Sequence, residues 1–175
     1  MSTRADLASA ETLCTEYEAE LLGAIVSLLE SSLIEAPWAA VSIAYHHGLS
    51  FDCVLGVLPA KEWLEFNDSG VDTMEAMNPA EWEHYDEAGL FIEVARVTEL
   101  ARELESLVGN DVTDVPRYAR RVFSRVATAV RAELTATKRL QADGVVYATD
   151  YAQCDLRENA AESNPSAALA RFRIT

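Results

Sequence analysis

The segment that most constrains the fold is residues 115–140, in which apolar side chains recur at the spacing of an α-helix. On a wheel of 3.6 residues per turn, the apolar residues fall within one arc and the basic residues fall on the other side. The arc contains Val115, Ala119, Val122, Val126 and Val130, with Phe123 and Leu134 at its edge. Thr113 or Asp114 can cap the start, and Pro116 suits a first turn, where amide hydrogens lack helical partners. We therefore predict a long amphipathic helix that buries one face against another layer of the protein.

Charge is divided unevenly between this segment and the rest of the chain. Residues 115–140 hold seven of the 14 basic residues but only one of the 29 acidic residues, Glu133. The segment therefore carries +6 and the remainder −21, within a chain of net charge −15. Glu133 projects into the apolar arc of the wheel. It is expected to lie beyond the packed part of the helix, to pair with a buried polar partner, or to act as a catalytic carboxylate.

The arginines of the helix form a charged face whose partners must be identified. Arg117, Arg120 and Arg121 lie near the N-terminal end, where the helix dipole opposes positive charge at a cost of about a few tenths of a kcal/mol each. We expect at least two of Arg117, Arg120, Arg121 and Arg125 to pair with acids from other segments of this chain. The candidate segments are a helix at 90–108 and the acidic stretch 81–87. The alternative is an open basic strip that docks an acidic partner.

The composition limits the classes of function. A chain of 175 residues with 50% hydrophobic residues is expected to form one globular domain, residues 1–175. Its net charge of −15 argues against binding to nucleic acid or to anionic membranes, because phosphate contacts need a basic surface. The same charge suits a basic protein partner.

The cysteines and the N-terminal sequence favour a cytoplasmic protein. Cys14, Cys53 and Cys154 are far apart, and no pair has the spacing of a metal or redox motif. We interpret them as small, reduced residues in or near the core. The first residues lack the apolar core of a signal peptide, and the most hydrophobic run, residues 21–29, is too short to span a bilayer.

The remaining pattern predicts an α+β fold. Residues 38–45 and 51–58 read as two strands joined by the short connection 46–50, and residues 145–149 read as a third strand. Further helices are predicted at 7–34, 78–85, 90–108, 152–161 and 165–171, and residues 61–66 form either a helical turn or a strand. The expected architecture is a small, mostly antiparallel sheet, made of hairpin 38–58 and strand 145–149, covered by three long helices and several short ones.

Few residues suggest chemistry. His46 and His47 occupy the predicted turn, but adjacent residues on or near a strand point to opposite faces and make a poor metal pair. Glu81 and His84 have the spacing of a di-iron carboxylate helix, yet the chain has no second copy of that motif. We therefore predict no metal and no cofactor, and we expect the acidic stretch 81–87 to be solvated with Trp82 packed inward.

Three short motifs carry a resemblance to a known family. These are N-P-A-E-W at 78–82, V-V-Y-A-T-D-Y at 145–151 and E-S-N-P-S-A-A-L-A-R-F at 162–172. With them the chain resembles a bacterial family of small α+β proteins whose function is not established, and some relatives are thought to lie in toxin–immunity neighbourhoods. The resemblance implies a bacterial cytoplasmic protein with a sheet covered by helices, and it assigns no catalytic residue.

Together these observations favour a noncatalytic interaction protein. The most specific version of this hypothesis is an immunity-type inhibitor of a basic toxin. One alternative is an enzyme with its site near Glu133 or at the His46/His47 turn. The other is a small-molecule sensor. A pocket lined by perturbed carboxylates and histidines would favour the enzyme, whereas an acidic surface with exposed aromatic residues would favour the binder.

Overall fold

The computed structural model describes residues 4–45, 51–70, 76–85, 90–108, 114–150 and 156–172. Six helices are present in these residues: α1 (Arg4–Ser31), α2 (Ala60–Ser69), α3 (Ala95–Val108), α4 (Asp114–Ala136), α5 (Leu156–Ser163) and α6 (Ser166–Arg171). The strands are β1 (Trp38–Tyr45), β2 (Cys53–Pro59), β3 (His84–Tyr85) and β4 (Leu140–Asp150). None of these helices combines the length and the apolar content needed to cross a bilayer.

The four strands form one mixed sheet in the order β3-β2-β1-β4. β1 pairs antiparallel with β2, so that Val41 lies opposite Val57, and β2 pairs antiparallel with β3. On its other side β1 pairs parallel with β4, which places Val41 opposite Val146. The predicted α+β class and mostly antiparallel sheet are thus confirmed, with one parallel pair at the β4 edge.

Successive side chains of the strands point to opposite faces of the sheet, and each face packs in its own hydrophobic core. The first core contains Val41 and Ile43 of β1, packed against α1, α3 and α4. The second contains Ala40 and Tyr147, packed against Trp63 of α2 and the short helices α5 and α6. The periods of the helix and of the strands together predict nine buried residues, and all nine are buried: Val41, Ile43, Leu55, Val57, Val122, Val126, Val130, Val146 and Tyr147.

Long-range contacts move several predicted boundaries. The segment 61–66 is helical, as part of α2, and the strand predicted at 145–149 extends over the whole of β4. The helix predicted to reach residue 140 ends at Ala136, because Lys138 adopts a left-handed φ of 60° that stops the helix.

The helix predicted at 78–85 is wrong beyond its first turn. Asn78 caps a 3₁₀ turn, Pro79–Glu81, by accepting a 3.1 Å hydrogen bond from the Ala80 amide. The chain then forms β3 beside Gly56 of β2. A Cβ at position 56 would lie 2.7 Å from Ser42 Oγ and 3.1 Å from Tyr85 Cδ2, so the missing side chain of Gly56 is what admits Tyr85 this closely.

The helix predicted at 90–108 begins only at Ala95. Residues 90–94 are not helical, because Phe91 makes a bridge to Val54 of β2 and the Leu55 amide donates to the Leu90 carbonyl at 3.4 Å. Segment 90–94 therefore completes the edge of β2 beyond the short strand β3. Pairing with the sheet satisfies backbone groups there that a longer helix would have left without partners.

Candidate functional site

The arginine face of α4 packs against the acidic side of α1. Arg121 Nη1 donates to Glu11 Oε1 at 2.7 Å, and Arg125 Nη1 donates to Glu18 Oε1 at 3.4 Å. The two glutamates are seven residues apart on α1, so both lie on the side that faces α4. The Arg121 guanidinium also lies over the ring of Tyr118, with Cζ 4.9 Å from the ring centroid.

Arg120 points the other way, towards α5. Its Nε donates to Asn159 Oδ1 at 2.8 Å, and its Nη2 lies 3.2 Å from Glu162 Oε1. Asn159 is buried and donates in turn to the hydroxyl of Tyr45, at 3.3 Å, at the end of β1. This network joins the helix, the sheet and α5 through polar contacts and holds the carboxyl end of β1 in place.

Three of the four arginines that form the charged face are thus paired within the chain, which confirms the prediction of internal pairing. The side chain of Arg117 lies outside the described residues. The segments predicted to supply the acids are wrong: the partners come from α1 and α5, not from 90–108 or 81–87. The physical reason is packing order, because α3 contacts α1 and its Arg96 pairs there with Glu16.

Burial is the largest influence on the pKa values of Glu18 and Cys14, which lie where α1 packs against α4. Burial raises the pKa of the Glu18 carboxyl, and the nearby charge of Arg125 offsets only part of that rise. Burial likewise raises the pKa of the Cys14 thiol, although a hydrogen bond from Arg121 acts in the opposite direction. The pKa of Cys53 is also raised by burial. Thiols with raised pKa values are weak nucleophiles at neutral pH, so Cys14 and Cys53 suit structural roles.

Trp82 and His84 occupy different environments at the sheet edge. Trp82 is buried, as predicted, with its indole Nε1 donating to the Ala76 carbonyl at 2.8 Å and its ring set edge-on to Tyr147. His84 is half-buried on β3, whereas Glu81 is exposed on the 3₁₀ turn. Because Glu81 and His84 do not share a helix, the carboxylate–histidine spacing of the sequence does not produce a helical ligand pair.

Next to His84, the Glu62 carboxylate of α2 accepts a hydrogen bond from the Glu83 amide at 3.0 Å. Burial raises the pKa of Glu62, while this hydrogen bond and the charge of His84 act to lower it. The contact ties α2 to the segment that leads into β3, which gives the acid a structural function.

Glu133 does not project into the core, so its assignment to the apolar arc is wrong. Its side chain is exposed, although Val130 and Leu134 beside it are buried. The buried face shifts around α4 towards the C-terminal turns, where Phe123, Ala127, Val130 and Leu134 carry it.

The metal-binding candidates of the sequence are only partly covered by the described residues. Among the residues that the structure describes, no group of three or more His, Cys, Asp and Glu side chains could hold a metal ion. His46 and His47 lie outside the described residues, as does Cys154.

A groove along α1 is the feature that the sequence did not reveal. One cavity of about 340 Å³ lies between Tyr17 and Leu21 of α1 and residues 91–98. A second cavity of about 560 Å³ lies between Leu28 of α1, residues 31–35 and Leu90. Both cavities are lined partly by α1 and partly by residues of 90–98, with residues 51–54 added in the first and residues 32–35 and His84 in the second, and together we call them the α1 groove. Leu33 and Phe91 are apolar residues that line these cavities and are exposed, and the sequence periodicity did not single them out.

Comparison with known proteins gives no relative: no protein-family model matches the sequence, and neither a curated protein nor a solved structure matches it significantly.

Proposed function

We propose that this protein is a noncatalytic interaction protein that binds a basic partner protein, acting in the cytoplasm as an immunity-type inhibitor. The observation that carries the proposal is the internal pairing of Arg120, Arg121 and Arg125. Their positive charge is committed to holding α1, α4 and α5 together. This pairing reduces the positive charge that the three arginines present to an acidic partner or to nucleic acid phosphates.

The outward surface is acidic for a simple numerical reason. The chain has 29 acidic and 14 basic residues, so pairing every base would still leave the excess of acids that gives the net charge of −15. Exposed acids lie on α1, α3 and α5, on the 3₁₀ turn before β3, and in the segments that follow α1 and precede α3: Glu20, Glu30, Glu35, Glu81, Glu93, Glu103 and Glu158. Such a surface accelerates encounter with a basic protein and repels acidic ones.

The acidic surface also contains exposed apolar side chains. Leu33, Leu64, Phe91, Val94 and Leu107 are large hydrophobic residues that solvent reaches in the described part of the chain. A protein interface combines apolar anchors with a polar rim, and the acids supply the rim here. The immunity-type form of the proposal rests on the resemblance of the three short motifs at 78–82, 145–151 and 162–172 to a family some of whose relatives are thought to lie in toxin–immunity neighbourhoods.

The test is to purify the proteins encoded by the genes that adjoin this one and to titrate each into the full chain by calorimetry. We expect one of them, a basic protein, to form a stoichiometric complex. Its affinity should fall about tenfold or more when salt is raised from about 50 to 300 mM, because screening weakens charge complementarity. Co-expression should also relieve any toxicity of that partner. If no adjoining product binds, or if an acidic one binds with no response to salt, the proposal is wrong.

A further inference from the structure

We propose that the α1 groove is the docking site for an amphipathic, lysine- or arginine-rich helix of the partner protein. This inference rests on the proposed function and deepens it, because it assigns the basic partner to one surface and one kind of segment. The shape, the apolar lining and the charge of the groove support this assignment.

The shape of the groove suits a helix. Tyr17, Leu21 and Leu28 are spaced by four and seven residues, so they lie on the same side of α1. Ala24, which lies between them on that side, is a small and only partly buried residue. At 1.5 Å per residue, the stretch of α1 from Tyr17 to Ser31 is about 21 Å long, which corresponds to about four turns of a bound helix.

The apolar lining offers anchor points at both ends. Phe91 lines the first cavity and remains 40% exposed, and Leu33 lines the second and is fully exposed. Leu90 forms the buried wall of the second cavity. A helix that places apolar residues at i, i+3, i+4 and i+7 would cover both exposed side chains in one continuous contact.

The charge of the lining selects a basic occupant. Glu93 and Asp52 line the first cavity and Glu35 lines the second, and all three are exposed. No lysine or arginine is present among the described lining residues, and His84 is the only lining group there that can become positive. An acidic rim around apolar pockets matches the basic flanks of an amphipathic helix and disfavours a second copy of this acidic chain.

The probe is a synthetic 15-residue amphipathic peptide with leucines on one face and lysines elsewhere, labelled for fluorescence anisotropy and titrated with the full chain. The same peptide with glutamate in place of lysine is its control. We expect the lysine peptide to bind and the glutamate peptide not to bind. Hydrogen exchange should then slow in residues 17–32 and 90–98, which form the two walls.

Matched variants locate the contact. Glu93→Lys and Leu33→Ser should each weaken binding about tenfold or more, because each removes a groove-lining group at an exposed position. Glu133→Lys and Leu64→Ser make the same chemical changes at exposed positions that do not line either cavity, and they should leave affinity within about twofold. Circular dichroism and thermal unfolding check that all four variants fold.

Four other results would contradict docking of a basic helix in the α1 groove. Equal weakening by Glu133→Lys would show that overall charge, not the groove, binds the peptide, and equal binding of the glutamate peptide would contradict the acidic rim. If sedimentation shows a dimer that Leu33→Ser dissociates, the occupant is a second copy. If the lysine peptide does not bind while an adjoining gene product does, the groove assignment fails and the proposed function stands. If neither binds, both fail.

Discussion

Val126 shows how one residue reports on the packing of the longest amphipathic helix. It lies on α4 in the first core, where the residue is 1% exposed. Its burial can be predicted from the 3.6-residue period of the helix alone, without knowing which other elements Val126 contacts.

We expect Val126→Ala to lower the free energy of unfolding by about 1–3 kcal/mol, through lost apolar burial and a residual cavity. Urea denaturation followed by circular dichroism measures the change. Val94→Ala is the matched control, because Val94 is exposed and should lose less than about 0.5 kcal/mol. Equal stability of Val126→Ala and wild type would mean that this part of the helix is not packed as described.

At the scale of elements, the outer side of β4 shows how a single side chain replaces a missing strand. The Val146 amide donates to Asn164 Oδ1 at 2.8 Å, and Asn164 Nδ2 donates to the Val146 carbonyl at 2.7 Å. Asn164 also donates to the Ala160 carbonyl at 2.9 Å, which links the end of α5 to the sheet. The amide group thus satisfies both backbone groups of Val146 as a neighbouring strand would, and it protects an edge that could otherwise pair with another chain.

We expect Asn164→Ala to destabilise the protein by about 2–4 kcal/mol, because it removes the side chain that bonds both the buried amide and the buried carbonyl of Val146. Asn67→Ala, at an exposed position of α2, should change stability by less than about 0.5 kcal/mol. Chemical denaturation measures both values, and light scattering on warming should show earlier association of the Asn164 variant. A loss no greater than that of Asn67→Ala would contradict the strand-replacing role.

At the scale of the whole molecule, ion pairs from the arginines of α4 connect this helix to α1 and α5 in an acidic protein. Arg121 stands between Glu11 of α1 and the ring of Tyr118, and Glu18 is close enough that its pKa responds to Arg121 as well as to Arg125. The same α4 arginines that oppose their own helix dipole therefore join α4 to its neighbours.

We expect Arg121→Glu to lower stability by about 1–2 kcal/mol at low salt, through a lost attraction and a new repulsion from Glu11 and Glu18. The gap to wild type should narrow in about 1 M salt, where the screening length falls to about 3 Å. Arg121→Gln separates the two effects, because it removes the attraction without adding repulsion. Thermal unfolding at both salt concentrations is the measurement, and a gap that does not depend on salt would show that packing, not charge, is what the substitution disturbs.

The sequence alone determined the features that depend on local periodicity. The buried residues of α4, the alternating faces of β1 and β2 and the inward Trp82 were predictable, because a helix or strand must turn its apolar side to the core wherever that core lies. The sequence also showed that the arginines of α4 needed acidic partners, because charge and helix polarity are both readable from residue order.

Only the tertiary structure decided which elements became neighbours. The parallel pairing of β4 with β1, the strand at His84 and Tyr85, the acids that α1 and α5 supply to the arginines, and the exposure of Glu133 all depend on contacts between residues far apart in the chain. The α1 groove also depends on such contacts, because β1, β2 and β3 lie between α1 and residues 90–98 in the sequence. Local pattern specifies which face of an element is apolar, but the partner of that face is selected by the packing of the whole chain.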